Sequence, residues 1–321
     1  MTHTEHTHLV CRALDTDPRS RSRAALLAHS LDAVATGLHD AARTTGVTRS
    51  YLCVDAGDPD RAASVEEAVA RAGPGMDVSV VPVAPALVLE DDSALLRVLE
   101  GRQAIPHVSA PQAAPPTLRG RPAVVLNIED LVRPALGAPA TLTITLWTGG
   151  EPLVAEVLET ATVREVLRDV AGVGFGADGI QAVRLGGTLG RFLAGPALAA
   201  PLGPTTPWCP PVLEIIPRGT CGVGLMRDVL RELSAASCGA CVVCREGVRQ
   251  LADMLAEVAE SRAGSDVPGL MGEVGAALKA GSLCGLGVAA AGVLRTGLEA
   301  FASDFSAHLD GAPCPEGRAG A

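Results

Sequence analysis

The chain has 321 residues, enough for two or three ordinary domains, and a formal net charge of −10 at pH 7. An acidic chain without a basic patch argues against nucleic-acid binding, because such binding requires cations that displace counterions from the phosphates. Hydrophobic residues make up 48% of the chain but aromatic residues only 2%, so we expect a core built from Ala, Val and Leu.

The composition also argues against membrane insertion. The longest clearly apolar run, residues 285–294, is about half of the roughly 20 residues that a spanning helix needs. The N-terminus lacks the basic start and apolar core of a signal peptide, so we expect a cytoplasmic protein. His3, His6 and His8 could bind a metal weakly, but the polar stretch 1–20 is more typical of a disordered tail.

Residues 21–135 alternate between two periodicities, which predicts a small α/β layer. Apolar residues recur at helical spacing or alternate as in strands over five successive segments: helix 24–43, strand 49–56, helix 59–73, strand 77–83 and helix 91–101. The proline-containing stretch 103–122 predicts an extended crossing segment.

Residues 140–217 carry a different pattern. Segments 141–147 and 153–159 predict a hairpin across a glycine-containing connection. Thr162 and Glu165 have the spacing of a capping box, which predicts a helix over 163–172. A further strand over 180–187 completes the arrangement of a β-grasp domain.

Residues 222–312 are predicted to form a helical bundle. Three segments show apolar residues at intervals of three to four: 224–237, 245–260 and 287–309. With the two preceding regions, this gives an α+β multidomain chain.

The densest group of soft ligands is the sequence SCGACVVCREG, which contains Cys238, Cys241 and Cys244 in a C-x2-C-x2-C spacing. A cubane iron–sulfur cluster takes four cysteines. Cys284 is the best candidate for the fourth ligand, because it lies between glycines that let the backbone approach closely. Since the chain is long and its cysteines are clustered, metal or redox chemistry is favoured over a disulfide framework.

Other interpretations of these cysteines stay open at this point. Structural zinc also takes four cysteines, but usually as two separated pairs rather than three plus one. Unligated core cysteines or a thioredoxin-type pair fit the polar neighbours and the local pattern less well. Arg245 could donate hydrogen bonds to the sulfur atoms of a cluster as a neighbouring cofactor-binding residue, or it could pair with Glu246.

The cysteine segment resembles the C-terminal domain of a known family. SCGACVVCREG and the later stretch LCGLGVAAAGVLRTGLEAFASDFSAHL are similar to the cluster domain of the NADH-dehydrogenase flavoprotein subunit, the 51-kDa subunit of complex I, whose form is shared by NAD-linked hydrogenases and formate dehydrogenases. Val243 replaces the proline that is usual there. The resemblance implies a [4Fe–4S] cluster on Cys238, Cys241, Cys244 and Cys284.

The resemblance extends upstream in weaker form. VRLGGTLGRFLAG, at 183–195, is similar to the ubiquitin-like SLBB domain of the family. EDDSALLRVLEGR, at 90–102, and PAVVLNIEDL, at 122–131, are similar to two segments of its FMN domain. The resemblance therefore implies a degenerate FMN-domain-like layer, an SLBB β-grasp domain and a helical cluster domain.

Departures from the family pattern fall on the flavin and nucleotide sites. We find neither the glycine-rich G-R-G-G-x-G-F-P segment, whose expected position precedes the start of the chain, nor the N-x-D-E-x-E-P-G loop. Glu90 stands where the family has a glycine, and Ala84 and Pro85 replace further glycines. Leu126 replaces the first of two asparagines, so that Asn127 alone remains. We therefore expect that FMN and NADH sites are absent.

The resemblance implies three functions. The first is an electron-transfer subunit with one [4Fe–4S] cluster that works beside other redox subunits, such as a thioredoxin-like [2Fe–2S] subunit or a further iron–sulfur subunit. The second is a structural or regulatory paralogue whose cluster stabilises the fold. The third is an NADH-oxidising flavoprotein completed by another chain. In each case the chain is a component of an oxidoreductase rather than a complete enzyme.

Overall fold

The structure, a computed structural model, describes residues 8–47, 49–72, 77–107, 116–136, 141–172, 179–203 and 208–314. The chain divides into two compact units. One contains residues 1–145 and 154–160, and the other contains residues 146–153 and 161–321.

The first unit is built on a five-stranded sheet. Its strands are β1 (His8–Arg12), β2 (Arg49–Asp55), β3 (Asp77–Val83), β4 (Thr117–Leu118) and β5 (Arg121–Asn127). Their order is β3-β2-β1-β5-β4, parallel except for β4, which runs antiparallel to β5. The strand order therefore reverses at β1, and the switch point lies between β1 and β5. In parallel sheets this is where a crevice opens at the carboxyl ends of the strands.

Five helices cover the two faces of this sheet. They are α1 (Ser22–His29), α2 (Leu31–Thr45), α3 (Pro59–Arg71), α4 (Asp92–Leu99) and α5 (Ile128–Leu136). Helices α1, α2, α3 and α5 contribute to one buried cluster, while α4 and the 3-10 turn Leu87–Glu90 contribute to the other. Alternate residues of β1 point into the two clusters, with Leu9 in the first and Val10 in the second. The α/β layer is present as predicted.

Two predictions for this unit were wrong. The expected disordered tail over residues 1–20 contains β1, and Leu9, Val10 and Cys11 are fully buried. This strand is hard to predict, because it contains only three apolar residues. Since it is buried on both faces, it also shows no alternation of apolar and polar residues. The predicted helix 24–43 is two helices, which meet at Ser30 with non-helical angles (φ −131°, ψ 28°).

A second five-stranded sheet follows in the chain. It contains β6 (Thr141–Trp147), β7 (Leu153–Leu158), β8 (Ile180–Leu185), β9 (Arg191–Leu193) and β10 (Val212–Pro217), in the order β7-β6-β10-β8-β9. Helix α6 (Val163–Asp169) begins with the predicted capping box between Thr162 and Glu165. The predicted strands and helix are therefore confirmed, while the name β-grasp stays a prediction.

The remaining helices are α7 (Gly222–Ala235), α8 (Val242–Ala259), α9 (Val267–Gly281), α10 (Gly285–Ala300) and α11 (Ala302–Leu309). Helix α9 was not predicted, because its glycines and exposed positions leave little apolar periodicity. The single helix expected over 287–309 breaks at Phe301 (φ −119°, ψ 31°).

The second unit joins its strands and helices through aromatic contacts. Phe301 packs edge-on against Phe192 of β9, with ring centroids 5.1 Å apart. The Trp208 indole lies directly against the backbone of Gly285, where an added Cβ would stand 2.3 Å from its ring. Strand β9 and the connection before β10 therefore form part of the support of α10.

Gly37 provides a test of close packing in the first unit. A Cβ built on this glycine of α2 would lie 2.1 Å from the backbone oxygen of Leu131 in α5. We expect Gly37→Ala to destabilise the protein by about 1–3 kcal/mol, because backbone must move. The matched control is Gly272→Ala in α9, where nothing lies within 4 Å; alanine there should stabilise by up to about 1 kcal/mol. Calorimetric melting would measure both, and equal effects would contradict the close contact.

Candidate metal centre and the switch-point crevice

The loop between α7 and α8 and the first turn of α8 carry three of the four predicted ligands. Cys238 is exposed, Cys241 is partly buried and Cys244 is buried. Cys244 interacts electrostatically with both of the other thiols. Gly239 makes this possible by adopting a left-handed conformation (φ +74°), and its N–H donates to the Ser237 hydroxyl, which lies 3.8 Å from the Cys244 sulfur.

The segment that carries Cys284 packs against the same turn of α8. A Cβ built on Gly287 would lie 3.4 Å from the Cys244 Cβ, and one built on Gly281 would lie 3.3 Å from the Val243 side chain. Both flanks of Cys284 therefore touch the first turn of α8. The structure thus places the segment that carries Cys284 against the helical turn that carries Cys244.

Two of the four cysteines also begin helices. Cys241 is the N-cap of α8, and Cys284 is the N-cap of α10. The first N–H groups of a helix have no intrahelical partner, and its dipole places partial positive charge at this end. Both helix starts therefore direct free N–H groups and partial positive charge toward the positions of the proposed ligands.

Arg245 pairs with Glu246, the second of its two predicted roles, and it also forms a hydrogen bond to the cysteine loop. Its Nε donates to Glu246 Oε1 at 3.0 Å, and its Nη1 donates to the Gly239 backbone oxygen at 3.0 Å. Glu246 is held in turn by Arg249. Arg245 thus ties the cysteine loop to the first turn of α8 and acts as a positioning residue.

The donor set suits a soft metal centre. Burial raises the pKa of the Cys244 thiol to about 11, so this thiol is protonated at neutral pH and must release its proton when a metal binds. Cys238, Cys241, Cys244 and Cys284 would together provide the four thiolates that a cubane cluster takes. Such a centre would be held by the loop on one side and by the start of α10 on the other.

A different constellation fills the crevice at the switch point of the first sheet. Arg12 and Asn127 are register partners at the ends of β1 and β5. The Arg12 guanidinium, 3% exposed, donates to Asn127 Oδ1 at 2.5 Å, to the Leu89 backbone oxygen at 2.8 Å and to Asp92 Oδ1 at 2.7 Å. The edge of the sheet is therefore covered by a protein cation.

A second buried arginine completes this constellation. Arg23 Nη1 lies 2.9 Å from Glu90 Oε1, and its Nε lies 3.1 Å from Glu129 Oε1. Both Arg23 and Glu90 are only 6% exposed. The Thr16 hydroxyl also donates to Glu90 Oε1. We call Arg12, Arg23, Glu90 and Asn127 the switch-point cluster.

The charges of the switch-point cluster stabilise one another. Burial alone would raise the pKa of Glu90, but Arg23 and Arg12, with the Thr16 hydrogen bond, outweigh it and lower that pKa. For Arg23, burial acts to lower the pKa, yet Glu129 and Glu90 raise it above its usual value. Glu90 is therefore ionised at neutral pH and paired with Arg23.

Of the residues at the switch point, the sequence pattern indicates Glu90 and Asn127 but not Arg12, Arg23 and Thr16. These three residues belong to no local pattern, and they stand in or beside the segment expected to be disordered. Ala84 and Pro85, which replace glycines, are exposed, and Leu126 is partly buried. In the part of the chain that the structure describes, no helix combines the length and the apolar character needed to cross a bilayer.

Two family models match the chain. Residues 1–133 match the Nuo51 FMN-binding domain. Residues 224–308 match the NADH-ubiquinone oxidoreductase-F iron-sulfur binding region. The first match includes residues 1–20, so the proposed start of that domain at residue 21 was too late, in agreement with the position of β1 in the sheet.

Curated relatives are similar over most of the chain. The NADP-reducing hydrogenase subunit HndC of Solidesulfovibrio fructosivorans is 25% identical, over 97% of this chain and 70% of its own length. A subunit of the NADH-quinone oxidoreductase of Mycobacterium bovis is 28% identical, over 76% of this chain and 60% of its own length. The chain therefore spans well under the full length of these relatives.

Solved structures share the fold. A chain of the NAD+-reducing [NiFe]-hydrogenase in the H2-reduced state superposes with a TM-score of 0.84 at 23% identity. The match covers 94% of this chain and 56% of that one. This supports the mixed arrangement of sheets and helices across the chain.

The switch-point cluster leads to a prediction about acid stability. The paired Glu90 stabilises the fold above the ordinary glutamate pKa of about 4.3, and this contribution is lost as pH falls through its lowered pKa. We expect Glu90→Gln to cost about 3–5 kcal/mol at pH 7, because Arg23 loses a buried partner. The difference from wild type should narrow in acid.

Thermal melting between neutral and acid pH measures this effect. Glu299→Gln is the matched control, because Glu299 pairs with Arg295 on the surface of α10, where both side chains are exposed. That change should cost no more than about 0.5 kcal/mol. A constant difference between wild type and Glu90→Gln across the pH range would contradict the ionised state of Glu90.

Proposed function

We propose that the chain is an electron-transfer subunit with one [4Fe–4S] cluster and without FMN and NADH sites of its own. The starting point is that the chain belongs to the family of the 51-kDa flavoprotein subunit of NADH dehydrogenases. The observation that carries the proposal is the contact between the Cys284 segment and the first turn of α8. Cys238, Cys241, Cys244 and Cys284 would hold the cluster, which supplies one-electron transfer when bound.

The residues around these cysteines support this role in three ways. The starts of α8 and α10 stabilise negative charge on the ligands. Arg245 fixes the carbonyl of Gly239 and thereby the conformation of the loop. Cys238 is exposed, so that this side of the centre faces solvent and is accessible to a redox partner. On that side, electrons would not have to pass through a thick layer of buried protein.

The absence of a flavin site is proposed on the switch-point cluster. Flavin phosphate is an anion, and a crevice that binds it needs open backbone N–H groups or uncompensated cations. Here the guanidinium groups of Arg12 and Arg23 already contact Glu90, Asp92 and Glu129. A phosphate would have to displace these carboxylates or be buried beside them, and either change is unfavourable. On this proposal, the match to an FMN-binding domain reflects a shared fold and not a bound flavin.

The relatives suggest where such a subunit works. Their names describe subunits of a NADP-reducing hydrogenase and of NADH-quinone oxidoreductase. We propose that this chain likewise works in a cytoplasmic or membrane-peripheral complex beside further redox subunits. A thioredoxin-like [2Fe–2S] subunit or another iron–sulfur subunit is the expected neighbour.

Metal analysis tests the cluster directly. We expect anaerobically purified protein to contain about four iron and four sulfide per chain and to give a reduced-cluster EPR signal. Cys284→Ser should lose most of this iron, whereas Cys53→Ser, a control in strand β2 of the first sheet, should keep it. One zinc in place of iron at these cysteines would overturn the proposal, and unfolding of Cys284→Ser alone would favour a structural cluster.

Flavin release on acid treatment is measured on the same sample. We expect less than about 0.1 FMN per chain, because the switch-point cluster occupies the crevice. Stoichiometric FMN, in the protein alone or after purification with its neighbours, would instead favour a flavoprotein completed by another chain.

Arg245 gives a second, independent prediction. We expect Arg245→Gln to leave the folded protein intact but to shorten several-fold the lifetime of the cluster in air, because the loop loses its tie to Gly239. Arg249→Gln is the matched control, since Arg249 contacts Glu246 and Asp253 on α8 but not the loop. Bleaching of the visible absorption measures the lifetime. Equal lifetimes in the two variants would contradict the role of Arg245.

A further inference from the structure

A second group of metal donors lies apart from the four-cysteine centre. The sulfur atoms of Cys221 and Cys314 and a ring nitrogen of His308 all lie within 4.8 Å of one another. Cys221 and His308 are each 5% exposed, and the Cys221 sulfur is 3.3 Å from His308 Nε2. Sequence analysis had assigned no ligand role to these residues.

The separations fit a single ion. Zinc binds cysteine sulfur at about 2.3 Å and histidine nitrogen at about 2.0–2.1 Å, so two ligands in tetrahedral positions lie roughly 3.5 Å apart. The 3.3 Å between Cys221 and His308 is close to this value. The donors are too close together to surround a cubane cluster in the manner of the four cysteines.

The neighbouring Asp304 provides an independent observation. Its side chain is fully buried, and it lies one helical turn before His308 on α11. Its Oδ2 accepts hydrogen bonds from the Gly222 N–H at 2.8 Å and from the Gln181 amide at 3.4 Å, both neutral donors. Its Oδ1 is buried with no hydrogen-bond partner among the described residues.

A buried carboxylate that lacks a cationic partner is unfavourable. Asp304 forms no ion pair with any residue in the described ranges, and its Gly222 contact places it beside Cys221, the N-cap of α7. A divalent cation held by the adjacent thiolates and imidazole would compensate this charge. Asp304 could then accept a hydrogen bond from water on the ion or from the ligand imidazole.

We propose that Cys221, His308 and Cys314 form a Zn²⁺ site that stabilises the fold, with a water molecule as the fourth ligand. The donor set of two thiolates and one imidazole matches the chemistry that zinc prefers. The site would join the start of α7 to the segment after α11, which are 93 residues apart in sequence. It would therefore close the helical region independently of the iron–sulfur centre. When zinc binds, each thiol releases one proton to solvent.

Metal content of the full-length, untagged protein tests this site. We expect about one zinc per chain in addition to iron in protein purified anaerobically from cells supplied with both metals. The double change Cys221→Ser with Cys314→Ser should lower zinc at least ten-fold while iron is kept. Cys53→Ser, in strand β2 of the first sheet, should retain both metals. Wild type with complete iron and less than about 0.1 zinc, or undiminished zinc in the double variant, would overturn the site.

A measurement on wild type avoids dependence on the folding of the variant. Organomercurial is added in steps, and released zinc is followed with a metallochromic dye. Release after two thiols have reacted, with the iron absorption unchanged, supports the site. A Cys221–Cys314 disulfide found in the anaerobic protein would overturn it. Because iron and zinc are counted separately, loss of the four-cysteine cluster is distinguished from loss of this site.

Discussion

The fold of the second unit depends on one contact, the packing of the Cys284 segment against the first turn of α8. Gly281 and Gly287 allow it, because a side chain at Gly287 would press on Cys244 and the Ser282 side chain. Helices α8 and α10 both begin where this contact is made. The first turns of these two helices, each with a cysteine N-cap, therefore lie against one another.

The first unit has a comparable centre of opposite chemistry. Two buried arginines and the carboxylates that surround them hold the carboxyl ends of β1 and β5 and the 3-10 turn at Glu90 together. Removing one partner of any of these ion pairs would leave an uncompensated buried charge. The charged residues of the cluster therefore stabilise the fold only when all of them are present.

Much of this arrangement could be predicted from sequence, and the failures have physical causes. The capping box at Thr162 and the long amphipathic helices follow from residue spacing and apolar periodicity, whereas the four-cysteine site stays a prediction. Strand β1 could not, since burial on both faces removes its alternation. Arg12 and Arg23 were missed because their partners lie 67 to 115 residues away in the chain. The break at Phe301 depends on the fit of its ring over Gly222, which no local pattern encodes.

The aromatic contacts between the second sheet and α10 have a consequence for inheritance. Trp208 packs on the backbone of Gly285, and Phe192 packs against Phe301. Without the strand segments, the start and the end of α10 would be exposed to solvent, and without α10 the two aromatic rings would be exposed. A recombination event that moved the helices without these strands would expose the start of α10 beside Cys284. Strands β8 to β10 and helices α7 to α11 are therefore expected to be inherited together as one block.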